Sequence, residues 1–424
     1  MRYRNRVLFL LFMLSIITYL DRVAIGLASG RIQADLHISP ERWGLVLGVF
    51  ALSYAAFEIP TGSMGDRLGP RRILTRIVVW WSVFTALTGL VSNFSHLLIS
   101  RFMFGAGEAG AYPNSSSSIS RWFPREERGR AHGVVWMASR VGGAIAPWLV
   151  IPLQQTYGWR VSFFFLGIIG IAWALIWYAW YRDTPGEKSD VTAEELAEIG
   201  TPVPVAHKGV SWRIALRSRN LWMIMLMYHT YCWGSFFYLS WMPTYLAKGR
   251  GFSEDELRTY AMLPFVAGIC GNLFGGWLSD RLVKRFGLKI GRLSVGSIGL
   301  ALSAICMLAT ALTVDRYQAV YFLSLGYGCM DCMLPASWSL CLDVGRQHAG
   351  TISGAMNMAG QIGSFLSSSI FGYALVYWFK NDYNSTLIPL AGMLLVSAVL
   401  YLFIDPTKEI VTERVVLEPE PSLV

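Results

Sequence analysis

Charge is what this sequence has least of. Aspartate, glutamate, lysine and arginine make up only 15% of its 424 residues, against 54% hydrophobic. A soluble domain of this length needs far more charge to cover its surface. The two-residue alternation of a membrane barrel strand is also missing, so the long apolar blocks around 78–90, 161–181, 221–246 and 293–312 read as helices. About 20 mostly apolar residues cross ~30 Å of hydrocarbon, and a helix satisfies its own backbone hydrogen bonds there. There is no P-loop, no HExxH and no GxSxG, and the serine run 115–118 has no companion base, so no enzymatic activity is expected. The six cysteines, at 232, 270, 306, 329, 332 and 341, all fall inside apolar blocks, which excludes a disulfide framework. Cys329 and Cys332 share a helix face but read as small buried residues, and neither a metal nor another cofactor is expected. The net charge of +9 invites a nucleic-acid partner, yet the basic residues sit in short loops and form no binding motif, so none is expected.

What is present is a series of spans. The pattern predicts helices near 7–28, 43–64, 73–91, 97–118, 131–152 and 161–181, then near 220–246, 259–279, 292–313, 317–341, 349–373 and 386–404. Arg2, Arg4 and Arg6 before an apolar run look like a cleavable signal, but Asp21 and Arg22 interrupt the run and its length suits a retained first helix. Of 36 lysines and arginines, 25 lie in loops on the N-terminal side and 8 in loops on the other. That bias places both termini in the cytoplasm. The fold class expected is therefore an all-α membrane protein of twelve spans.

The chain divides into residues 1–185, a polar linker 186–218, residues 219–405 and a tail 406–424. In the linker, Thr192-Ala-Glu-Glu reads as a capping box opening one short helix. The flanking halves echo each other. Gly65-Asp66-Arg67-Leu68-Gly69 ends the second span and Leu278-Ser279-Asp280-Arg281-Leu282 ends the eighth. Arg130-Ala-His-Gly133 enters the fifth span, and Gly350-Thr-Ile-Ser-Gly354 enters the eleventh. Two pseudo-symmetric six-helix bundles place a substrate site at their interface near mid-membrane.

Ionised side chains inside spans cost at least ~2.5–3.5 kcal/mol each and need partners or a water-lined cavity. Arg101, Gly105, Glu108 and Tyr112 form one helical stripe, with Arg101 and Glu108 about 10.5 Å apart along the axis. Tyr19, Arg22 and Gly26 share a face of the first span, and Asp21 points about 100° away from Arg22. Arg22 and Arg101 offer forked, always-charged donors for a carboxylate. Asp21 and Glu108 are the titrating carboxylates deep in the first half. Arg140 either meets a second carboxylate of the cargo or pairs with Glu58 or another internal acid. Glu58 reads as a gate residue or as that partner, and Asp331 as a cation or substrate contact or part of a local network. In the second half the lining candidates are Tyr231, Ser235, Trp338, Asn357 and Gln361, with hydroxyls and amides for sugar hydroxyls and an indole for a ring face. His229 reads as a hydrogen-bonded helix-contact residue.

The loop Gly65-Asp-Arg-Leu-Gly-Pro-Arg-Arg72 resembles the signature loop of the major facilitator superfamily. Tyr19-Leu-Asp-Arg22, Arg101-Phe-Met-Phe-Gly-Ala-Gly-Glu108, Arg121-Trp-Phe-Pro-Arg-Glu-Glu-Arg-Gly-Arg130 and Trp241-Met-Pro-Thr-Tyr-Leu246 resemble its anion:cation symporter branch, which includes proton symporters for galactonate and hexuronates. The resemblance implies proton coupling at Asp21 and Glu108 and substrate contact at Tyr19, Arg22, Tyr54 and Arg101. It implies that Asp66, within a gating set of Gly65, Asp66, Arg67, Arg71, Asp280 and Arg281, meets the start of the eleventh span when the cytoplasmic side closes. The expected protein is thus a monomeric, multi-pass symporter of the cytoplasmic (inner) membrane. It takes up a small organic anion, such as an aldonate, a uronate or another carboxylate, with H+ as coupling ion, and its partners are that anion, the proton and the lipid bilayer. An uncoupled facilitator or exchanger on the same fold is the alternative, and a membrane receptor or enzyme a remote one.

Overall fold

The structure, a computed structural model, describes residues 2–38, 40–200, 210–253, 256 and 259–410. Residues 201–209 of the linker 186–218 and 411–424 of the tail 406–424 lie outside the described residues. Among the described residues the chain is helical and contains no strand. The first half comprises α1 (Tyr3–Leu27), α2 (Ser29–Asp35), α3 (Pro40–Leu68), α4 (Pro70–Thr88), α5 (Phe94–Glu108), α6 (Ala111–Trp122), α7 (Arg128–Tyr157) and α8 (Trp159–Trp180). Two short helices follow, α9 (Ala193–Ile199) and α10 (Trp212–Ala215). The second half comprises α11 (Arg219–Ser240), α12 (Met242–Thr244), α13 (Leu263–Leu312), α14 (Arg316–Asp331), α15 (Met333–Gly345), α16 (Ala349–Tyr377) and α17 (Leu387–Leu402).

Helix starts follow local chemistry. The Asn93 side chain accepts the His96 amide at 2.9 Å, and the Asp315 side chain accepts that of Gln318 at 2.7 Å. Gly69, at φ 85°, turns the chain into Pro70, whose missing N–H costs nothing at the first helical position. Thr192 caps α9 by accepting the Glu195 amide at 3.2 Å. The Glu195 carboxylate in turn accepts the Tyr3 and Arg4 amides at 2.9 and 2.8 Å, tying the connecting segment to the start of α1.

The outer surface is apolar. Leu52, Trp148, Ile168, Leu175 and Ile305 are exposed, as lipid-facing side chains are. Among the described residues, α1, α8, α13 and the stretches Leu45–Leu68 and Arg125–Tyr157 are each long and apolar enough to cross a membrane.

Four expected spans differ in detail. The fourth is two helices, α5 and α6, broken at Ala109 and Gly110, the latter at φ 88°. A Cβ on Gly110 would come within 2.2 Å of the Thr61 hydroxyl, so only glycine lets α3 pass this close. The eighth and ninth spans are not separated by a loop over 280–291. They run together as α13, and the reversal is made at Gly287 (φ 83°, ψ 172°), a conformation that glycine adopts without strain. The tenth span is divided at Cys332 into α14 and α15.

The halves meet along two seams of the same construction. In one, α3 lies on α16, and a Cβ on Gly62 would sit 2.4 Å from the Gly350 carbonyl oxygen. In the other, α13 lies on α7, and a Cβ on Gly276 would sit 2.4 Å from the Gly129 carbonyl oxygen. Backbone touches backbone at both.

Candidate functional site

Between the halves lies a cavity of about 430 Å³. Its walls come from α1 (Tyr19, Arg22), α3 (Phe50, Tyr54), α5 and α6 (Arg101, Tyr112), α7 (Trp136, Arg140), α11 (Tyr228, Tyr231, Ser235) and α16 (Asn357, Gln361). It extends to Ile25, Leu47 and Leu239, at the ends of α1, α3 and α11 remote from Asp66. Tyr19, Arg22, Tyr54, Arg101, Arg140, Asn357 and Gln361, singled out in the sequence, all face it.

The three arginines differ in what holds them. Arg22 Nε donates to Glu108 Oε1 at 2.5 Å, and its guanidinium lies over the rings of Tyr54 (4.8 Å), Phe50 (5.5 Å) and Tyr19 (5.6 Å). Ring faces favour the cation and shield it from lipid. Arg140 makes a fork with Asp331 across the two halves, Nε to Oδ2 and Nη2 to Oδ1, both 3.1 Å. Asn272 Nδ2 also donates to Asp331, at 2.9 Å. Arg101 is 4% exposed and lies over Phe50 (4.9 Å) and Phe104 (4.8 Å). No carboxylate among the described residues forms an ion pair with it, and its Nε has no hydrogen-bond partner.

The buried acids sit just behind this wall. Glu108 Oε2 is unpartnered, and the residue is fully buried. Asp21 does not line the cavity. It faces Trp81 and Thr85 of α4 with neither oxygen closing a hydrogen bond, and it feels the charges of Glu108 and Arg101. Glu58 accepts a hydrogen bond from Asn357 Nδ2 across the seam, so it is not the partner of Arg140.

Trp338 is a correction. It does not line the cavity but is fully buried behind it, at 5.3 Å from the Trp136 ring, with its indole N–H donating to the Tyr228 hydroxyl at 3.2 Å. The Trp136 and Tyr112 rings, stacked at 4.6 Å, stand in front of it and present the ring faces expected of Trp338. His229 is tied into helix contacts, with Nδ1 on the Ala359 carbonyl at 2.9 Å and Nε2 accepting the Trp233 indole at 3.3 Å.

On the Asp66 side the halves are closed. Asp66 accepts the Gly350 amide (2.8 Å), the Thr351 amide (2.7 Å) and the Thr351 hydroxyl (2.7 Å), where the peptide dipoles at the start of α16 favour an anion. Asp280 does the same for α7, accepting the amides of Gly129 at 3.0 Å and Arg130 at 2.6 Å. Gly65 leaves room for Asn114, whose side-chain oxygen would be 1.6 Å from a Cβ. The remaining basic residues of the expected gating set do not bridge the halves, which corrects that expectation. Arg67 is exposed. Arg71 packs within the first half, its amide on Asp183 at 2.9 Å and its Nε on the Tyr178 carbonyl at 2.9 Å. Burial pushes the Asp183 carboxyl above its ordinary range, and the Arg71 N–H holds it back. Arg281 is exposed, over the Trp277 ring at 5.3 Å. Arg67 on α3 and Arg281 on α13 are turned to the exterior, whereas Arg71 on α4 stays against its own half.

Sequence reasoning missed Arg292, which it counted as a loop cation. It is fully buried and donates to Asp280 (2.9 Å), Asp343 (3.1 Å), Ser279 (3.0 Å) and the Arg125 carbonyl of the other half (2.8 Å). Nothing in its spacing marks it, because its partners are distant in sequence.

A model of the Major Facilitator Superfamily matches residues 11–368. The chain belongs to that superfamily. It is a multi-pass membrane transporter and not an enzyme. It is 35% identical to the probable sulfoacetate transporter of Cupriavidus necator over 95% of this chain and 94% of that protein. The hexuronate transporter of Bacillus subtilis is 30% identical, with 86% and 87% covered, and the probable L-galactonate transporter of Escherichia coli is 29% identical, with 96% and 92% covered. The fold also matches the crystal structure of the E. coli fucose:proton symporter, with a TM-score of 0.74 at 14% identity over 95% of this chain and 99% of that one.

Proposed function

We propose that this superfamily member is a proton-coupled symporter. It imports a small organic anion, a sugar acid such as an aldonate or uronate or another carboxylate, by alternating access. It works as a monomer of twelve spans in the cytoplasmic (inner) membrane with both termini inside. The distribution of lysine and arginine supports that orientation, and the printed names of the relatives supply the anion class. The observation that carries the reading is Arg101, a buried cation on the cavity wall with no carboxylate in ion-pair contact among the described residues. A buried guanidinium on a cavity wall with no carboxylate in contact attracts an anion to that wall.

The coupling follows from Arg22. Its Nε is engaged by Glu108 Oε1. An incoming carboxylate that takes Arg22 and Arg101 together displaces Glu108. A displaced carboxylate surrounded by protein and left without its cation is stabilised by taking a proton. Cargo and proton then load together while the Asp66 side is closed. The test is uptake in proteoliposomes under an imposed pH gradient, with sulfoacetate, L-galactonate and glucuronate as probes. Wild type is expected to accumulate one of them, whereas Glu108→Gln loses accumulation and keeps exchange. Undiminished accumulation by Glu108→Gln overturns the coupling assignment. Uptake indifferent to the pH gradient moves the protein to an uncoupled exchanger.

A further inference from the structure

Glu58 is an acid that the scheme above does not use. It lies on α3, one turn after the cavity-lining Tyr54, and is fully buried. Among the described residues the only hydrogen bond to its carboxylate comes from a neutral group, Asn357 Nδ2 of α16, and its Oε2 has no partner. The titratable groups facing it are Tyr54 on its own helix, Arg22 of α1, Glu108 of α5 and Cys232 of α11, the tyrosine and cysteine both neutral. Arg22 is the one cation among them, and its Nε is committed to Glu108. Asp331 makes the contrast plain, because that acid has a guanidinium fork and an amide together. A buried carboxylate with no cation is far costlier than a buried carboxylic acid.

The place of Glu58 on the seam matters as much as its surroundings. A Cβ on Gly354 would come within 3.0 Å of the Glu58 carbonyl oxygen, so α3 and α16 cross in contact here. Parting the halves on the Asp66 side separates Glu58 from Asn357 and admits water to it. The same residue is thus reached only from the Tyr54 side in one state and from the Asp66 side in the other.

We propose that Glu58 is a further proton-binding site, loaded through the cavity when the Asp66 side is closed and emptied to the Asp66 side when it opens. Each cycle then moves one proton beyond the one taken up by Glu108. Chemically, one O–H bond forms on the carboxylate with a proton from cavity water and breaks to water on the other side. Tyr54, whose hydroxyl is unpartnered and which lines the cavity, stands between Glu58 and that water. The inference rests on the proton-coupled reading, and its test has an arm that does not.

That arm is infrared spectroscopy of the purified protein in lipid nanodiscs, with no substrate. The double variant Asp21→Asn/Glu108→Gln is expected to keep a protonated-carboxyl C=O band at neutral pH, and Glu58→Gln on that background to remove it. Loss of the band already in the double variant, or its survival in the triple, overturns the proposal. Should the triple variant fail to fold, Glu58→Asp decides: the band shifts in frequency if Glu58 carries it and stays in place if not. In proteoliposomes with the three probes, Glu58→Gln is expected to lower the proton:substrate ratio by one. That lowers accumulation about tenfold for each pH unit of gradient. An unchanged ratio overturns the proposal. A wild type that moves no proton with any probe sinks the proton-coupled reading, while the infrared result still speaks for Glu58.

Discussion

Asp331→Asn tests the closed seam most directly. The fork between Arg140 and Asp331 joins the halves and is almost fully buried. Removing one partner of a buried pair leaves an uncompensated charge, a loss of about 3–5 kcal/mol. The loss is expected to fall on the closed state, whose two halves the fork joins. At about 1.4 kcal/mol per tenfold, the closed-to-open equilibrium shifts by roughly two to three and a half powers of ten. The amides of Gly350 and Thr351 report the change, since Asp66 holds them only while the Asp66 side is closed. Hydrogen exchange at these amides is expected to speed up by the same factor. Arg140→Met/Asp331→Leu is expected to restore protection, because apolar replacement of a whole buried pair is often neutral or stabilising. Unchanged exchange in Asp331→Asn, or a double variant as exposed as the single, refutes the reasoning.

Gly62→Ala is expected to hold the Asp66 side open, since its Cβ would sit 2.4 Å from the Gly350 carbonyl oxygen; uptake falls and exchange at Gly350 rises. Asp280→Asn removes charge-assisted bonds to two amides and part of the Arg292 network, weakening closure by about 1.5–3 kcal/mol, read as faster exchange at Gly129 and Arg130. Trp338→Phe is expected to lower thermal stability through the lost bond to Tyr228, worth about 1 kcal/mol, while the apparent KM for transport stays unchanged because Trp338 does not line the cavity.

The helical class, the halves and much of the cavity wall were legible in the sequence, because burial in lipid writes itself as length and hydropathy. The Arg101/Glu108 stripe was legible because both lie on α5, where spacing sets direction. Tyr112 was assigned to that stripe by counting, yet the break at Ala109 and Gly110 puts it on a separate helix. It still reaches the cavity, through a turn that residue counting cannot foresee. Pairings between distant residues were not legible. Arg140 with Asp331, Glu58 with Asn357 and Arg292 with Asp343 are joined by how helices cross, and the sequence carried each member without naming its partner. Trp338 was misread because an indole in a polar-lined helix looks the same whether it faces the cavity or backs the residue that does.

The glycine seams bear on how such a carrier changes its cargo. Gly62 meets Gly350 and Gly276 meets Gly129 main chain to main chain, and none of the four lines the cavity where the anion is proposed to bind. A hinge built from bare peptide has no rotamers to re-sort as it swings, and it is indifferent to what the binding chamber contains. Altering the lining for a different anion therefore leaves the swing intact, so new specificities are reachable by small steps, each of which still transports.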